Sequence, residues 1–244
     1  MRHFRYAHRG LHEQGAGIPE NSLAAFRRAV EHGFAAELDV HLLSDGSLAV
    51  FHDSALQRMT GREGVIEDLT AERLSDYRLG GTEETIPQLC DVLKLFEGTG
   101  LPLLVELKAY RGNHNALTAR TVEELDKHRV PYVMESFDPR CLLWLRRNRP
   151  EIVRGQLAQD FLRDTQSASG LGKAADGVLS SLALDAATRP DFVAFNFDHR
   201  DARSLRRAKR RENVDVFYWT IRSREDMETA EAEGAQVIFE GFIP

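Results

Sequence analysis

The chain has little cysteine, no long apolar run and no excess of positive charge, and each shortage excludes a class of protein. Two cysteines, Cys90 and Cys141, in 244 residues cannot staple a disulfide-built scaffold. They lie far apart in stretches that read as helices, without the short spacing of metal ligands, and are expected to be reduced core residues. That usage points to the cytoplasm. So does an opening, Met1-Arg2-His3-Phe4-Arg5-Tyr6, that runs straight into the first apolar strand with no secretory signal. No stretch of about eighteen apolar residues occurs, so no membrane span is expected. A formal net charge of -6 argues against a general nucleic-acid surface, which is usually basic. An anionic small molecule stays open as a substrate, because local charge decides that. Internal repeats, low-complexity tracts and linkers are missing too, and residues 1–244 read as a single domain.

What the sequence does contain is alternation. Short apolar runs occur at Phe4–His8, Ala35–Leu43, Leu48–His52, Leu101–Leu107, Tyr132–Phe137, Ile152–Leu157, Phe192–Phe197, Val214–Ile221 and Gln236–Phe239. Between them lie amphipathic stretches with helix signals. Leu23, Phe26 and Val30 recur at helical spacing after Ser22. Pro87 suits a first helical position and Gly98 ends that pattern; Asp138-Pro139 opens a helix that must stop before Pro150; Ser223 with Asp226 resembles a capping box closed by Gly234. Residues 158–190 are the least readable. Strand–helix alternation predicts an α/β fold with a parallel sheet and helices outside it.

One connection breaks the alternation. Ser44-Asp45-Gly46-Ser47 is too short for a parallel crossover and carries Asp-Gly, a hairpin signal. A two-residue turn at Asp45-Gly46 would set Leu42 against Ala49 and Asp39 against His52, placing an imidazole beside a carboxylate.

Chemistry-bearing residues gather at strand ends. Glu37 and Asp39 are two apart on a strand and share a face. Two carboxylates on one face repel unless a positive charge separates them, and Mg²⁺ or Ca²⁺ takes oxygen ligands. Surface carboxylates are the plain alternative, but the neighbours Phe34, Ala35, Ala36 and Val40 speak for burial. Glu106 and Lys108 repeat the geometry after Leu101–Val105, where an internal ion pair fits as well. His8-Arg9-Gly10 and His52-Asp53 each supply a histidine able to titrate near neutrality, and Arg9 a guanidinium suited to phosphate; singly, each is only a strand-end loop. In Pro19-Glu20-Asn21-Ser22, Asn21 or Ser22 reads as the helix N-cap, while Glu20 can reach the site as an acceptor. Trp219 either stacks on substrate or packs in the core. The basic run Arg203, Arg206, Arg207, Lys209, Arg210 and Arg211 reads as a solvated helix face, with Leu205 and Ala208 on its apolar side.

Taken in order, His8-Arg9-Gly10, Pro19-Glu20-Asn21-Ser22, Glu37-Leu38-Asp39-Val40, Asp45-Gly46, His52-Asp53, Glu106-Leu107-Lys108, Ser136-Phe137 and Trp219-Thr220 resemble the glycerophosphodiester phosphodiesterase family over nearly the whole chain. The resemblance implies a (β/α)₈ TIM barrel with an antiparallel hairpin excursion after the second strand and a small insertion between Asp53 and about Gly100. It implies metal-dependent hydrolysis of glycerophosphodiesters, such as glycerophosphocholine, to glycerol 3-phosphate and an alcohol. Glu37, Asp39 and Glu106 would bind one divalent cation, Mg²⁺ or Ca²⁺. His8 and His52 would be the acid–base pair, and Arg9, Lys108 and Trp219 would bind substrate. Two rivals remain: a lysophospholipase-D-like activity on lysophospholipids, and a non-catalytic binder of phosphorylated polyols. The sequence departs from the family pattern at Arg222, where Asn is usual, at Phe239-Glu240 in place of Thr-Asp, and at Ser22 in place of Thr.

Overall fold

The structure, a computed structural model, describes residues 4–159, 185–210 and 214–244. Nine strands form one sheet: β1 (Arg5–Ala7), β2 (Ala35–Leu42), β3 (Leu48–Val50), β4 (Leu103–Leu107), β5 (Tyr132–Ser136), β6 (Arg154–Ala158), β7 (Phe192–Asn196), β8 (Asp215–Ile221) and β9 (Gln236–Phe239). All except β3 run parallel, and β1 pairs with both β2 and β9, which closes the sheet into the expected (β/α)₈ barrel. Around it lie α1 (Leu23–Glu31), α2 (Gln57–Thr60), α3 (Leu89–Phe96), α4 (His114–Leu125), α5 (Pro139–Asn148), α6 (Asp185–Thr188), α7 (Arg203–Ala208) and α8 (Arg224–Ala232).

A strand sends alternate side chains to opposite faces, so each barrel strand feeds two cores. Outward residues such as Leu38, Val40 and Val105 join Phe26, Leu93 and Leu142 of the helix layer. Inward residues Tyr6, Ala35, Leu104, Val133, Phe192, Phe217 and Ile238 fill the barrel. The Phe192 and Phe217 rings lie 4.3 Å apart there. Gly155 leaves room for them: a Cβ on it would stand 2.0 Å from the Phe192 ring. A third apolar cluster packs Leu43, just past the end of β2, against Phe51, Leu56, Ile66, Leu79 and Ile86 of the segment between β3 and α3. This is the expected insertion, within the segment expected to contain it. It ends near Ile86, because α3 contributes Leu89, Val92, Leu93 and Phe96 to the helix-layer core.

The local signals mostly hold. Ser22 caps α1 by accepting from Ala25 N, Asp138 caps α5 ahead of Pro139, and Ser223 accepts from Asp226 N at the start of α8. Cys90 and Cys141 lie within α3 and α5 as free thiols. Leu205 and Ala208 form the buried side of α7; Arg211 lies outside the described residues. Pro87 is not the first residue of α3 but precedes its N-cap, Gln88.

The hairpin forms, but one residue out of the expected register. β2 and β3 pair as Val40↔Val50, His41↔Ala49 and Leu42↔Leu48. Gly46 N donates to Leu43 O, Leu43 N donates to Ser47 O, and Gly46 has φ 84. That is a type I turn followed by a left-handed glycine, which inserts a third loop residue. Asp39 therefore faces Phe51, whose N–H donates to the Asp39 carbonyl, and not His52. His52 still reaches the barrel mouth, because β3 ends at Val50 and the chain bends there.

Gly155→Ala forces a methyl against the Phe192 ring and should destabilise the fold by about 1–3 kcal/mol through overpacking. Urea unfolding of the variant beside wild type measures it; equal midpoints would show that the ring moves freely.

Candidate active site

The inward positions at the C-terminal ends of the strands line one cavity of about 180 Å³. One wall is polar: His8, Arg9, Glu37, His52, Glu106, Lys108 and Glu135. The opposite wall is apolar: Phe137, Leu157, Trp219 and Ile238, with Thr220 and Arg222 at its edge. The Phe137 and Trp219 rings meet edge to face at 6.0 Å, and the Trp219-Thr220 peptide is cis.

The carboxylates are held by strand pairing. Asp39 lies beside Glu106, and Glu106 beside Glu135, across β2, β4 and β5. Glu37, Glu106 and Glu135 each bring an oxygen within 4.8 Å of the others, all buried. Asp39 sits among donors instead: Lys108 Nζ at 3.0 Å, Asn21 Nδ2 at 2.8 Å and Arg9 Nε at 3.6 Å. Lys108 Nζ also reaches Glu106 at 2.7 Å. Burial alone would raise the Asp39 carboxyl, but Lys108, His52 and Arg9 together hold it below the usual carboxylate range. Glu106 goes the other way: burial outweighs Lys108 and lifts it to about 7. Burial also pushes Glu37 and Glu135 up, reinforced by Asp39 and Glu106 around Glu37 and by Glu106 beside Glu135.

Each histidine rests its Nδ1 on a carboxylate. His8 Nδ1 lies 2.5 Å from Glu240 and His52 Nδ1 2.6 Å from Asp53. The carboxylates fix Nδ1 as the donor, which frees Nε2 to exchange a proton. His8 Nε2 is 3.9 Å from Glu37. Burial lowers both imidazoles, and the neighbouring acids, Glu240 for His8 and chiefly Asp39 for His52, work against it. Arg9 has φ 53; its N–H donates to Glu37 at 2.9 Å and its guanidinium to Glu20 at 2.8 Å. Such a left-handed non-glycine conformation costs energy and is held here by those bonds.

The strands and loops thus bring together every residue singled out in the sequence: His8, Arg9, Glu37, Asp39, His52, Glu106, Lys108 and Trp219. Others were missed. Asn21 is not a cap; it is buried with φ 54 and donates to Asp39. Glu135 lay unremarked in Tyr132–Phe137, although a carboxylate in a buried strand is itself a signal. Glu240 and Arg222, two of the three departures from the family pattern, pair with each other at 2.8 Å. His41, buried on β2, sets Nδ1 2.7 Å from Glu67 and Nε2 3.2 Å from the His52 carbonyl, fastening that loop.

A closed parallel barrel with two histidines and buried carboxylates at its C-terminal mouth gathers groups able to exchange protons and hold ions where barrel enzymes place their active sites. Residues 8–243 match the glycerophosphoryl diester phosphodiesterase family. The chain is similar to a glycerophosphodiester phosphodiesterase of Caldanaerobacter subterraneus, 30% identical over 233 residues that cover 91% of this chain and 87% of that one. Among solved structures it resembles an Oleispira antarctica phosphodiesterase in complex with the product sn-glycerol-3-phosphate, with TM-score 0.77, 24% identity and coverage of 97% and 92%. It also resembles a Thermotoga maritima glycerophosphodiester phosphodiesterase, with TM-score 0.70, 22% identity and coverage of 98% and 95%. These structural likenesses show the fold. The chain belongs to the glycerophosphoryl diester phosphodiesterase family, and is a phosphodiesterase. Among the described residues no helix is long and apolar enough to cross a membrane.

The raised carboxyls carry a stability consequence. Glu106 binds its proton more tightly folded than unfolded, so the stability it lends is full below its ordinary 4.5 and is lost as pH rises through about 7. Glu37 and Glu135 act in the same direction. His8 and His52, both lowered, act the other way, so in EDTA the cluster shows as a fall in melting temperature between about pH 5 and pH 7 relative to a Glu106→Gln variant, and saturating Mg²⁺ or Ca²⁺ should flatten that difference. A difference indifferent to both pH and cation would contradict the account of the carboxyl cluster.

Proposed function

We propose that the protein hydrolyses glycerophosphodiesters to glycerol 3-phosphate and an alcohol, with His8 and His52 as the acid–base pair. The observation that carries this reading is that two imidazoles, each with Nδ1 on a carboxylate, line the same cavity as Arg9 and Lys108. One imidazole takes the proton of the attacking hydroxyl while the other gives a proton to the leaving alcohol oxygen. With a glycerol substrate the adjacent 2-hydroxyl attacks first, forming a cyclic phosphate; water then opens it with the two roles exchanged. Arg9 and Lys108 hold the phosphate oxygens and balance the charge that grows on them.

Glu37, Asp39 and Glu106 would hold one divalent cation, Mg²⁺ or Ca²⁺, with Glu135 close enough to add a fourth carboxylate. The donor set fits such an ion: the oxygens are hard, buried and crowded, and Glu135 Oε2 has no hydrogen-bond partner among the described residues. When bound, the ion supplies Lewis-acid polarisation of the phosphate. Trp219 and Phe137 would flank the carbon skeleton of the substrate. A cavity of about 180 Å³ is small even beside the ~300–1,000 Å³ usual for small-molecule sites, which suits a compact diester. A lysophospholipid reading draws on a lysophospholipase D of Rattus norvegicus, 32% identical over 132 residues but covering 48% of this chain and 40% of that one.

The test is release of glycerol 3-phosphate from glycerophosphocholine and glycerophosphoethanolamine, beside a lysophospholipid, with Mg²⁺, Ca²⁺ or EDTA. Cation-dependent release from the water-soluble diesters is expected; turnover of the lysophospholipid alone would transfer the assignment to that class, and none at all would leave a binder. His8→Ala and His52→Ala should each lower kcat at least ~100-fold. An undiminished kcat in either variant would remove that histidine from the mechanism.

A further inference from the structure

Arg58 lies outside the cavity, on the four-residue α2 of the inserted segment, and none of the motifs above includes it. Its guanidinium spans two carboxylates. Nε donates to Asp53 Oδ2 at 2.5 Å, Nη2 to Glu20 Oε1 at 2.7 Å and Nη1 to Glu20 Oε2 at 3.1 Å. Those carboxylates are the ones that orient the site. Asp53 Oδ1 receives His52 Nδ1 at 2.6 Å, and Glu20 Oε1 receives Arg9 Nη1 at 2.8 Å. A continuous chain therefore runs His52–Asp53–Arg58–Glu20–Arg9, and both of its ends line the cavity. Every acceptor in it is a carboxylate and both guanidiniums are cations, so the links made by Arg58 and Arg9 belong to the strong class of hydrogen bond. Glu20 comes from the loop before α1, whereas Asp53 and Arg58 come from the insertion, so the guanidinium also fixes these two segments relative to each other.

We propose that Arg58 is a positioning residue that sets His52 and Arg9 in register, so that proton transfer and phosphate binding are aligned by one guanidinium. The inference rests on the acid–base role of His52 and the phosphate role of Arg9 given above. Only a planar, forked cation can satisfy two carboxylates in this way; an ammonium on a flexible stem meets one or the other. An ordinary surface ion pair would look similar in composition, and with the Arg58 side chain 46% exposed it would add little to stability. The two readings separate on kinetics, because a brace acts on the geometry of reaction and not on the folded population. Loss of a residue that orients a reacting group typically costs ~10–100-fold.

The experiment compares wild type, Arg58→Ala, Arg58→Gln and Arg58→Lys for kcat and KM on glycerophosphocholine at saturating cation, with melting temperatures as the folding control. All three variants should keep a melting temperature near wild type and lose ~10–100-fold in kcat, the lysine variant included. Added guanidinium chloride, kept well below denaturing concentration, should restore part of the activity of Arg58→Ala and none of that of Arg58→Lys. Wild-type kcat in Arg58→Ala or Arg58→Gln would overturn the proposal. A second readout keeps it separate from the functional assignment. The downfield proton resonance of His52 Nδ1, identified by its loss in His52→Gln, should be present in wild type and absent in Arg58→Ala, whatever the substrate. Its persistence in Arg58→Ala would sink the brace even if no glycerophosphodiester were turned over, and its disappearance would sustain it.

Discussion

The closed barrel imposes a period of two on every strand, and the site follows from that constraint. Inward positions alternate with outward ones, so stepping two residues along a strand moves up one layer on the same inner face. Six strands make that step from plug to chemistry: Tyr6 to His8, Ala35 to Glu37 and then Asp39, Leu104 to Glu106, Val133 to Glu135, Phe217 to Trp219, and Ile238 to Glu240. The lower layers exclude water from the barrel, and that apolar floor is what makes the carboxyls above it so sensitive to burial. A one-residue slip in any strand would exchange a reacting group for a residue of the helix layer. Register, set by the parallel ladders, therefore does more to define the site than any loop.

Above the floor the charges do not balance by themselves. Four buried carboxyls, Glu37, Asp39, Glu106 and Glu135, face Lys108 and Arg9. Both cations lie against Asp39, which stays ionised, whereas the other three are pushed towards protonation. Protons or a bound cation must make up the deficit, because unpaired buried charge is too costly to keep. The cluster can hold protons or, on the proposed reading, an ion in their place, and Lys108, between Asp39 and Glu106, ties two of the four acids.

Much of this was legible from the sequence because both periods are local. Strand positions, the caps at Ser22, Asp138 and Ser223, and the shared face of Glu37 and Asp39 need only neighbouring residues to be read. The hairpin shows the limit of that reasoning. Asp-Gly announces a turn but fits both two-residue and three-residue loops, and Gly46 chose the longer. Of the two cap candidates Ser22 took the role, and the bond from Asn21 to Asp39 went unread because capping and such a buried bond call for the same residue types at the same place. Glu240, Arg222 and Arg58 were out of reach, since their partners are set by barrel closure and by the path of the insertion, which no local pattern encodes.

Both histidines face the same conflict between orientation and basicity. A carboxylate on Nδ1 fixes the ring, yet a full negative charge there would stabilise imidazolium and leave Nε2 unable to accept a proton near neutrality. Burial works against that charge, lowering both His8 and His52. The arginines add to the correction from outside: Arg222 on Glu240 and Arg58 on Asp53 share each carboxylate with its histidine and dilute its pull on the ring. Exposed cations of this kind contribute little to folding. Their placement, one behind each imidazole, makes sense as adjustment of the basicity of the two rings.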